Sequence, residues 1–268
     1  MCTLAIYFRM FGDYPVVVAA NRDEFLERPA LPPTALGDRP RIIGGQDLRA
    51  KGTWLGINEH GLIVGLLNRR FAETRPTADK FLLNQHIAET RPNDDKLRSR
   101  GLLCLDALQH TSAASALQYV ERQRARDYNG FNLLMASREE AFVAYNRGGE
   151  IEVVKLTPGM HLLTNADVDD FECPRISRSY SRFAELGQRE DFAADPVGRR
   201  AELAALLADH STQLDARTGR PNSLCLHLGD YGTRSSSLIF MRRESTTVDH
   251  FFASGPPCTT SYERAAVP

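Results

Sequence analysis

The order of short β-rich runs constrains the fold of this chain more than any other sequence feature. Thr3–Phe8 alternates between apolar and other side chains, and residues 15–20 form a second run that is rich in β-branched residues. Residues 54–68 have the pattern of a hairpin that turns between Glu59 and Gly61. Further strands are predicted at Phe131–Ala136, 141–145, Ile151–Lys155, 161–164, 224–228, 235–241 and 247–252. Strands that follow one another in hairpin-like groups predict antiparallel sheet.

Helical periodicity occurs in blocks between these groups of strands. In residues 112–126, apolar side chains recur at positions i, i+3, i+4 and i+7, which predicts an amphipathic helix. Helices are also predicted at residues 78–89, 96–109 and 196–209. The proline- and glycine-rich segment 28–45 is predicted to be a surface loop. We therefore expect an α+β fold in a single domain over residues 1–268, with helices packed outside antiparallel sheet.

The charge balance excludes some classes of function. The chain has 33 Lys and Arg residues against 34 Asp and Glu residues, so it lacks the positive excess expected of a nucleic-acid-binding protein. No run approaches the roughly 20 apolar residues of a membrane span, and residues 1–15 do not resemble a signal peptide. We expect a soluble, cytoplasmic protein whose partner is a small molecule.

The five cysteines, at positions 2, 104, 173, 225 and 258, are widely spaced. An odd number without a CxxC pair argues against a disulfide framework and against a zinc site. His227 lies near Cys225 in sequence, and we interpret this pair as surface or core residues. Phosphate-loop, GxGxxG, HExxH and GxSxG motifs are absent. The sequence therefore does not support a function as a nucleotide-binding protein, a zinc protease or a serine hydrolase.

Cys2 directly follows the initiator methionine and precedes the first strand. Removal of the methionine would leave a free α-amino group, and this amine can accept the proton of the thiol in the same residue. The alternative is a cysteine that merely begins the strand.

Six motifs in order identify a family resemblance. They are MCT, ANRDEF, GGQDLRAKGTWLG, INEHGLIVGLLN, HLLTN and YGTRSS. On these motifs the chain resembles the NRDE family, whose eukaryotic members are transport-and-Golgi-organisation proteins. The layout is also similar to N-terminal-nucleophile cysteine hydrolases of the bile-salt-hydrolase and penicillin-V-acylase type. The resemblance implies a four-layer αββα sandwich of two antiparallel sheets between helical layers.

The resemblance also implies a set of catalytic residues: Cys2, Arg22, Asp23, Asn68 and Asn165. Asp23 would orient the α-amino group of Cys2, and Arg22 would favour the thiolate. Asn68 and Asn165 would donate hydrogen bonds to the oxyanion of the reaction. In the acylases an arginine precedes the aspartate by three residues, whereas Arg22 immediately precedes Asp23, so the reach of Arg22 differs.

Each candidate also has a structural interpretation. Asp23 and Arg22 can form a structural ion pair, and Arg22 can equally pair with Glu24 to stiffen the strand end. Asn68 and Asn165 can bond their own backbone at strand ends.

Two further residues are predicted to contact substrate. Trp54 is the single tryptophan and forms either core or pocket wall. Arg234 either binds an anionic group, with help from Ser235 or Ser236, or caps exposed carbonyl groups.

We expect an amidohydrolase or acyl transferase that acts on a small linear amide or thioester, with an acyl-thioester on Cys2 and without a metal or organic cofactor. The alternative is a non-catalytic carrier of haem or acyl lipid on the same scaffold. In that case Cys173, which precedes Pro174, is the candidate haem contact.

Overall fold

The chain folds into two antiparallel sheets. The structure, a computed structural model, describes residues 2–69, 97–211, 222–244 and 248–268. The strands of the first sheet are β1 (Thr3–Phe8), β2 (Val16–Phe25), β10 (Gly159–Leu163), β11 (His227–Leu228), β12 (Tyr231–Met241), β13 (Val248–Ala253) and β14 (Glu263–Arg264). Their order is β10-β1-β2-β12-β13-β14, with β11 paired to β12.

The second sheet is a meander in chain order. Its strands are β3 (Ala30–Asp38), β4 (Arg41–Asp47), β5 (Thr53–Asn58), β6 (Ile63–Asn68), β7 (Phe131–Ala136), β8 (Ala141–Asn146) and β9 (Ile151–Lys155). The described strand pairings in both sheets are antiparallel, as the grouping of strands in the sequence predicts.

Helices cover the outer faces of both sheets. Helices α1 (Arg100–Ala107) and α2 (Ala113–Glu121) pack on the second sheet. Helices α3 (Pro174–Gln188), α4 (Glu190–Ala194) and α5 (Arg200–Leu207) pack on the first. A third apolar core lies between the two sheets. The predicted α+β sandwich of four layers is confirmed.

Strand β1 shows how alternation builds these layers. Leu4, Ile6 and Phe8 point into the core between the sheets, whereas Ala5 and Tyr7 point toward the helices. Successive side chains of a strand face opposite sides, so a fully buried strand contributes to two cores at once.

The prediction of a loop at residues 28–45 is wrong, because this segment forms strands β3 and β4. Two adjacent prolines interrupt the strand pattern, but β3 lies at an edge of the second sheet and its pairing register shifts between Leu31 and Thr34. Proline is tolerated at an edge strand or at such an irregularity, where its missing N–H is not needed.

The observed helices are shorter than the predicted ones, and not every observed helix was predicted. Residues 96–109, 112–126 and 196–209 contain shorter helices, and the helix predicted at residues 78–89 lies outside the described residues. Helix α3 was not predicted, because its buried face includes the polar residues Arg175 and Ser179 and so interrupts the apolar stripe. The strand predicted at residues 224–228 shortens to His227–Leu228. Among the described helices, none is long and apolar enough to cross a membrane.

Candidate active site

The end of strand β2 carries charged side chains on both faces of the first sheet. β2 lies between β1 and β12, with Thr3 opposite Asn21 and Thr233 opposite Asp23. Because side chains alternate, Arg22 points toward the second sheet and Asp23 points toward helix α3. Neighbouring residues in the sequence therefore have separate partners.

Cys2 lies on the face that looks toward the second sheet. Its side chain is half-buried against the core between the sheets, and its Sγ donates a long hydrogen bond of 3.8 Å to the backbone carbonyl of Asp23. Burial raises the pKa of the Cys2 thiol, and the charge of Asp23 adds to this effect, whereas the Arg22 guanidinium acts in the opposite direction.

A cavity of about 310 Å³ opens beside Cys2, and part of this volume is open to solvent. Arg22, Trp54 and Ser235 contribute polar or aromatic walls, and leucines of β1, β5 and β6 contribute apolar walls. Arg22 Nη1 and Ser235 Oγ are buried and have no hydrogen-bond partner in the part of the chain that the structure describes. Two donors of this kind beside a thiol are suited to hold an oxygen atom of a ligand.

The guanidinium of Arg22 is fixed by contacts that the sequence analysis did not identify. Its Nη2 donates to Asp47 Oδ2 at 3.1 Å, and its centre lies 4.1 Å from the Trp54 ring centroid. Asp47 also accepts Arg28 Nε at 2.6 Å. Glu24 is 3.9 Å from Arg22, so the predicted ion pair with Glu24 is present at long range.

The carboxylate of Asp23 is held by side chains from two other elements, helix α3 and strand β12. Its Oδ2 accepts from Arg175 Nη1 at 3.1 Å, and its Oδ1 accepts from Thr233 Oγ1 at 2.8 Å. Arg175 Nη1 also donates to Thr3 Oγ1 at 2.9 Å. The side chains of Asp23 and Arg175 are 0% and 2% exposed, so this is a buried ion pair. The structural alternative of a buried Asp–Arg pair is therefore present, but the arginine is Arg175 and not Arg22, because alternation sends the side chains of Arg22 and Asp23 to opposite faces.

Asn21 supports the same strand end from the helical side. Its Nδ2 donates to the carbonyls of Leu207 and Leu224, both at 2.9 Å, and its Oδ1 accepts from Ser236 Oγ at 2.7 Å. Ser236 therefore makes a structural contact with Asn21 and does not line the cavity.

The other predicted site residues are not brought to the described cavity. Asn68 is exposed at the end of β6, and Asn165 is half-buried after β10. Arg234 lies at a register shift in β12 and donates from Nη1 to the carbonyl of Ser254 at 3.3 Å, in line with its alternative as a carbonyl cap. Cys173 occupies the N-cap position of α3 without a side-chain capping bond, and its Sγ lies 3.6 Å from Thr164 Oγ1.

Comparisons with known proteins agree with this architecture. Residues 1–251 match the family model described as Transport and Golgi organisation 2. The chain is 33% identical over 254 residues to the Transport and Golgi organization 2 homolog of Mus musculus, covering 85% of this chain and 82% of the relative.

Two solved structures share the fold. An N-acylethanolamine-hydrolyzing acid amidase ortholog of Caenorhabditis elegans is 14% identical with a TM-score of 0.51, covering 89% of this chain and 92% of that chain. A penicillin V acylase of Agrobacterium tumefaciens is 12% identical with a TM-score of 0.52, covering 96% of this chain and 93% of that chain. At these identities the likeness establishes the fold alone.

Proposed function

The chain belongs to the Transport and Golgi organisation 2 family, and we propose that it is a cysteine hydrolase or acyl transferase acting through an acyl-thioester on Cys2. The observation that carries the proposal is the cavity in which Cys2 meets two unpartnered donors, Arg22 Nη1 and Ser235 Oγ. The fold shared with an amidase and an acylase is compatible with this chemistry.

The strand register supports a base next to the thiol. Because Thr3 is opposite Asn21, one further step along antiparallel strands places Cys2 opposite Arg22 and directs its main-chain nitrogen toward Asp23. Removal of Met1 would turn this nitrogen into an amine. The carboxylate of Asp23, itself fixed by Arg175 and Thr233, would then orient the amine beside Sγ.

The proposed reaction proceeds in two half-reactions. The neutral amine takes the thiol proton, and the thiolate attacks the carbonyl carbon of an amide. Arg22 and Ser235 donate to the resulting oxyanion, the amine of the substrate leaves with the proton from the α-ammonium group, and Cys2 keeps the acyl group as a thioester. Water or another acceptor then takes the acyl group and restores the thiol. Asn68 and Asn165 remain predictions as oxyanion donors.

The cavity limits the substrate class. The cavity is lined by Leu4, Leu55, Leu66 and Leu67 besides its polar walls, and apolar walls with a few polar groups are typical of small-molecule sites. Its leucine walls favour an aliphatic acyl group, and its two donors favour a carbonyl oxygen. We therefore propose a small linear amide or thioester as substrate.

Intact-mass spectrometry with a panel of N-acyl amides and acyl thioesters tests the proposal. Protein starting at Cys2 should gain the mass of one acyl group on Cys2, and Cys2→Ala should gain none. Ser235→Ala should reduce turnover by about 10-fold or more, because one oxyanion donor is lost.

Cys104→Ala is the matched control, because Cys104 lies on the buried face of α1 and does not line the cavity. It should retain acylation at the wild-type rate. If protein proven to start at Cys2 is never acylated by any member of the panel, the hydrolase and transferase proposal fails.

One observation favours a second function, a carrier without turnover. Burial raises the pKa of the Cys2 thiol, which favours the neutral, less reactive form. If the protein is a carrier, wild type and Cys2→Ala should bind an acyl lipid equally well, whereas covalent capture requires Cys2.

If the cargo of the carrier is haem, Cys173→Ala should weaken the binding of haem measured by titration. An unchanged Soret shift in Cys173→Ala would exclude Cys173 as the haem contact.

A further inference from the structure

Four metal-ligating side chains converge outside the cavity of Cys2. His210 follows helix α5, Cys225 and His227 lie before and within β11, and Cys258 lies in the loop after β13. One potential ligand atom of each residue lies within 4.8 Å of those of the other three. The rings of His210 and His227 are stacked, with centroids 5.0 Å apart and an interplanar angle of 3°.

The three distances among the ligand atoms of Cys225, His227 and Cys258 match edges of a zinc tetrahedron, and the ligand atom of His210 lies within 4.8 Å of each of them. Zn–S bonds of about 2.3 Å and Zn–N bonds of about 2.0–2.1 Å require about 3.8 Å between two sulfurs and about 3.6 Å between sulfur and nitrogen. The Cys225 and Cys258 sulfurs are 3.6 Å apart. His227 Nε2 lies 3.7 Å from Cys225 Sγ and 3.3 Å from Cys258 Sγ.

We propose that His210, Cys225, His227 and Cys258 form a Cys2His2 site for Zn²⁺. Two thiolates and two imidazoles in tetrahedral arrangement are a ligand set that Zn²⁺ prefers, whereas Mg²⁺ and Ca²⁺ prefer oxygen ligands. Cys225 is buried, and the other three residues are at least partly exposed, so a metal ion has access. The sequence does not display the site, because its ligands come from three separated segments.

The position of the cluster indicates a structural role. The carbonyls of Leu207 and Leu224, which hold Asn21 in strand β2, belong to the two segments that carry His210 and Cys225. These segments also share a backbone hydrogen bond from Cys225 N to the Asp209 carbonyl at 3.0 Å. A metal ion at the cluster would join both segments to the loop of Cys258 and so brace the helical side of β2.

Metal analysis of the full-length protein, purified under reducing conditions with added ZnSO₄, tests the site. We expect about one zinc per chain, at least 10-fold weaker retention against a chelator in Cys225→Ser and Cys258→Ser, and a higher melting temperature with zinc than without it. Cys104→Ala and His60→Ala, which alter residues outside the cluster, should retain zinc as wild type does.

Cobalt titration of the wild-type protein provides a readout that requires no variant. Co²⁺ should produce thiolate-to-metal charge-transfer bands and the ligand-field bands of tetrahedral coordination, and Zn²⁺ should abolish them. Wild-type protein that binds less than about 0.2 zinc per chain and lacks these cobalt bands would overturn the proposal. A Cys225–Cys258 disulfide without zinc under the same reducing conditions would overturn it too.

Discussion

Replacing Asp23 with asparagine should destabilise the protein severely, because the change removes the negative charge that faces the buried guanidinium of Arg175. Both side chains are almost fully inaccessible, and they meet at 3.1 Å. Asparagine has the same shape as aspartate, so the change creates no cavity and isolates the loss of charge.

The magnitude follows from the burial of the pair. Removing one partner of a buried ion pair costs about 3–5 kcal/mol, since the other charge stays buried without compensation. In the wild-type protein, Thr233 Oγ1 donates to Asp23 Oδ1 at 2.8 Å, and the side-chain oxygen of asparagine can still accept this hydrogen bond. In that orientation the amide group of asparagine faces Arg175 donor to donor, so we expect no relief from the remaining hydrogen bond.

A double-mutant cycle in equilibrium urea unfolding measures this contact. Asp23→Asn and Arg175→Met should each lower the free energy of unfolding by about 3–5 kcal/mol at an unchanged m-value. The double variant should fall short of their sum by at least about 2 kcal/mol, because both substitutions remove the same contact between Asp23 and Arg175. Asp127→Asn, which alters the exposed pair of Asp127 with Arg124, should cost less than about 1 kcal/mol.

The same assay can refute the reasoning. If Asp23→Asn costs no more than Asp127→Asn, or if the two single losses simply add, the buried pair is not the stabilising contact. If Asp23→Asn instead couples to Arg22→Met, the partner is the sequence neighbour and the assignment to Arg175 is wrong.

Three further outcomes are expected from unfolding measurements. Burial lowers the pKa of His250 to about 4. As the pH falls, the unfolded state therefore binds a proton before the folded state does, and the free energy of unfolding should fall by about 3 kcal/mol between pH 6.5 and 4. His250→Gln should flatten this pH dependence, and an unchanged pH dependence in the variant would contradict the assignment to His250. Burial disfavours charge on His161, but the hydrogen bonds with Asp169 and with the Thr157 carbonyl, together with the charge of Asp169, outweigh burial and raise the pKa. The stabilising contribution of His161 should therefore be complete below about pH 6.5 and be lost as the pH rises through the raised pKa. His161→Gln should remove that decline, and a decline that persists would assign it elsewhere. Gly52→Ala should cost about 2 kcal/mol or more, because its Cβ would lie 2.1 Å from the backbone of Gly101, whereas Gly12→Ala, with open space around it, should be nearly neutral.

Much of the fold was predictable because strand alternation is a local property. Thr3–Phe8, Phe131–Ala136 and Ile151–Lys155 have the predicted bounds, since their faces are set by side chains within each run. Strand β3 could not be predicted in this way, because its tolerance of two prolines depends on its place at a sheet edge. Such a place is a property of the topology and not of the segment.

The polar contacts of the site were less predictable, because they join distant parts of the chain. Cys2, Arg22 and Trp54 were identified from motifs and line one cavity. Arg175 is 152 positions from Asp23, and Asp47 is 25 positions from Arg22. A buried carboxylate requires a partner, but the sequence offers 33 Lys and Arg residues and no local signal that selects one of them.

The orientation of the thiol depends on the apolar pattern of strand β1. Leu4, Ile6 and Phe8 are all buried between the sheets, and Cys2 has the same parity, so it faces the cavity and Arg22. A shift of β1 by one residue would turn this apolar set toward the helices and Cys2 toward Arg175, because side chains in a strand alternate with a period of two. Both faces of β1 are buried, so that shift would exchange side chains of different size between two packed cores, and the resulting cavities and overpacking oppose it. The alternation that predicts the first strand therefore also decides which face of the sheet carries the proposed nucleophile.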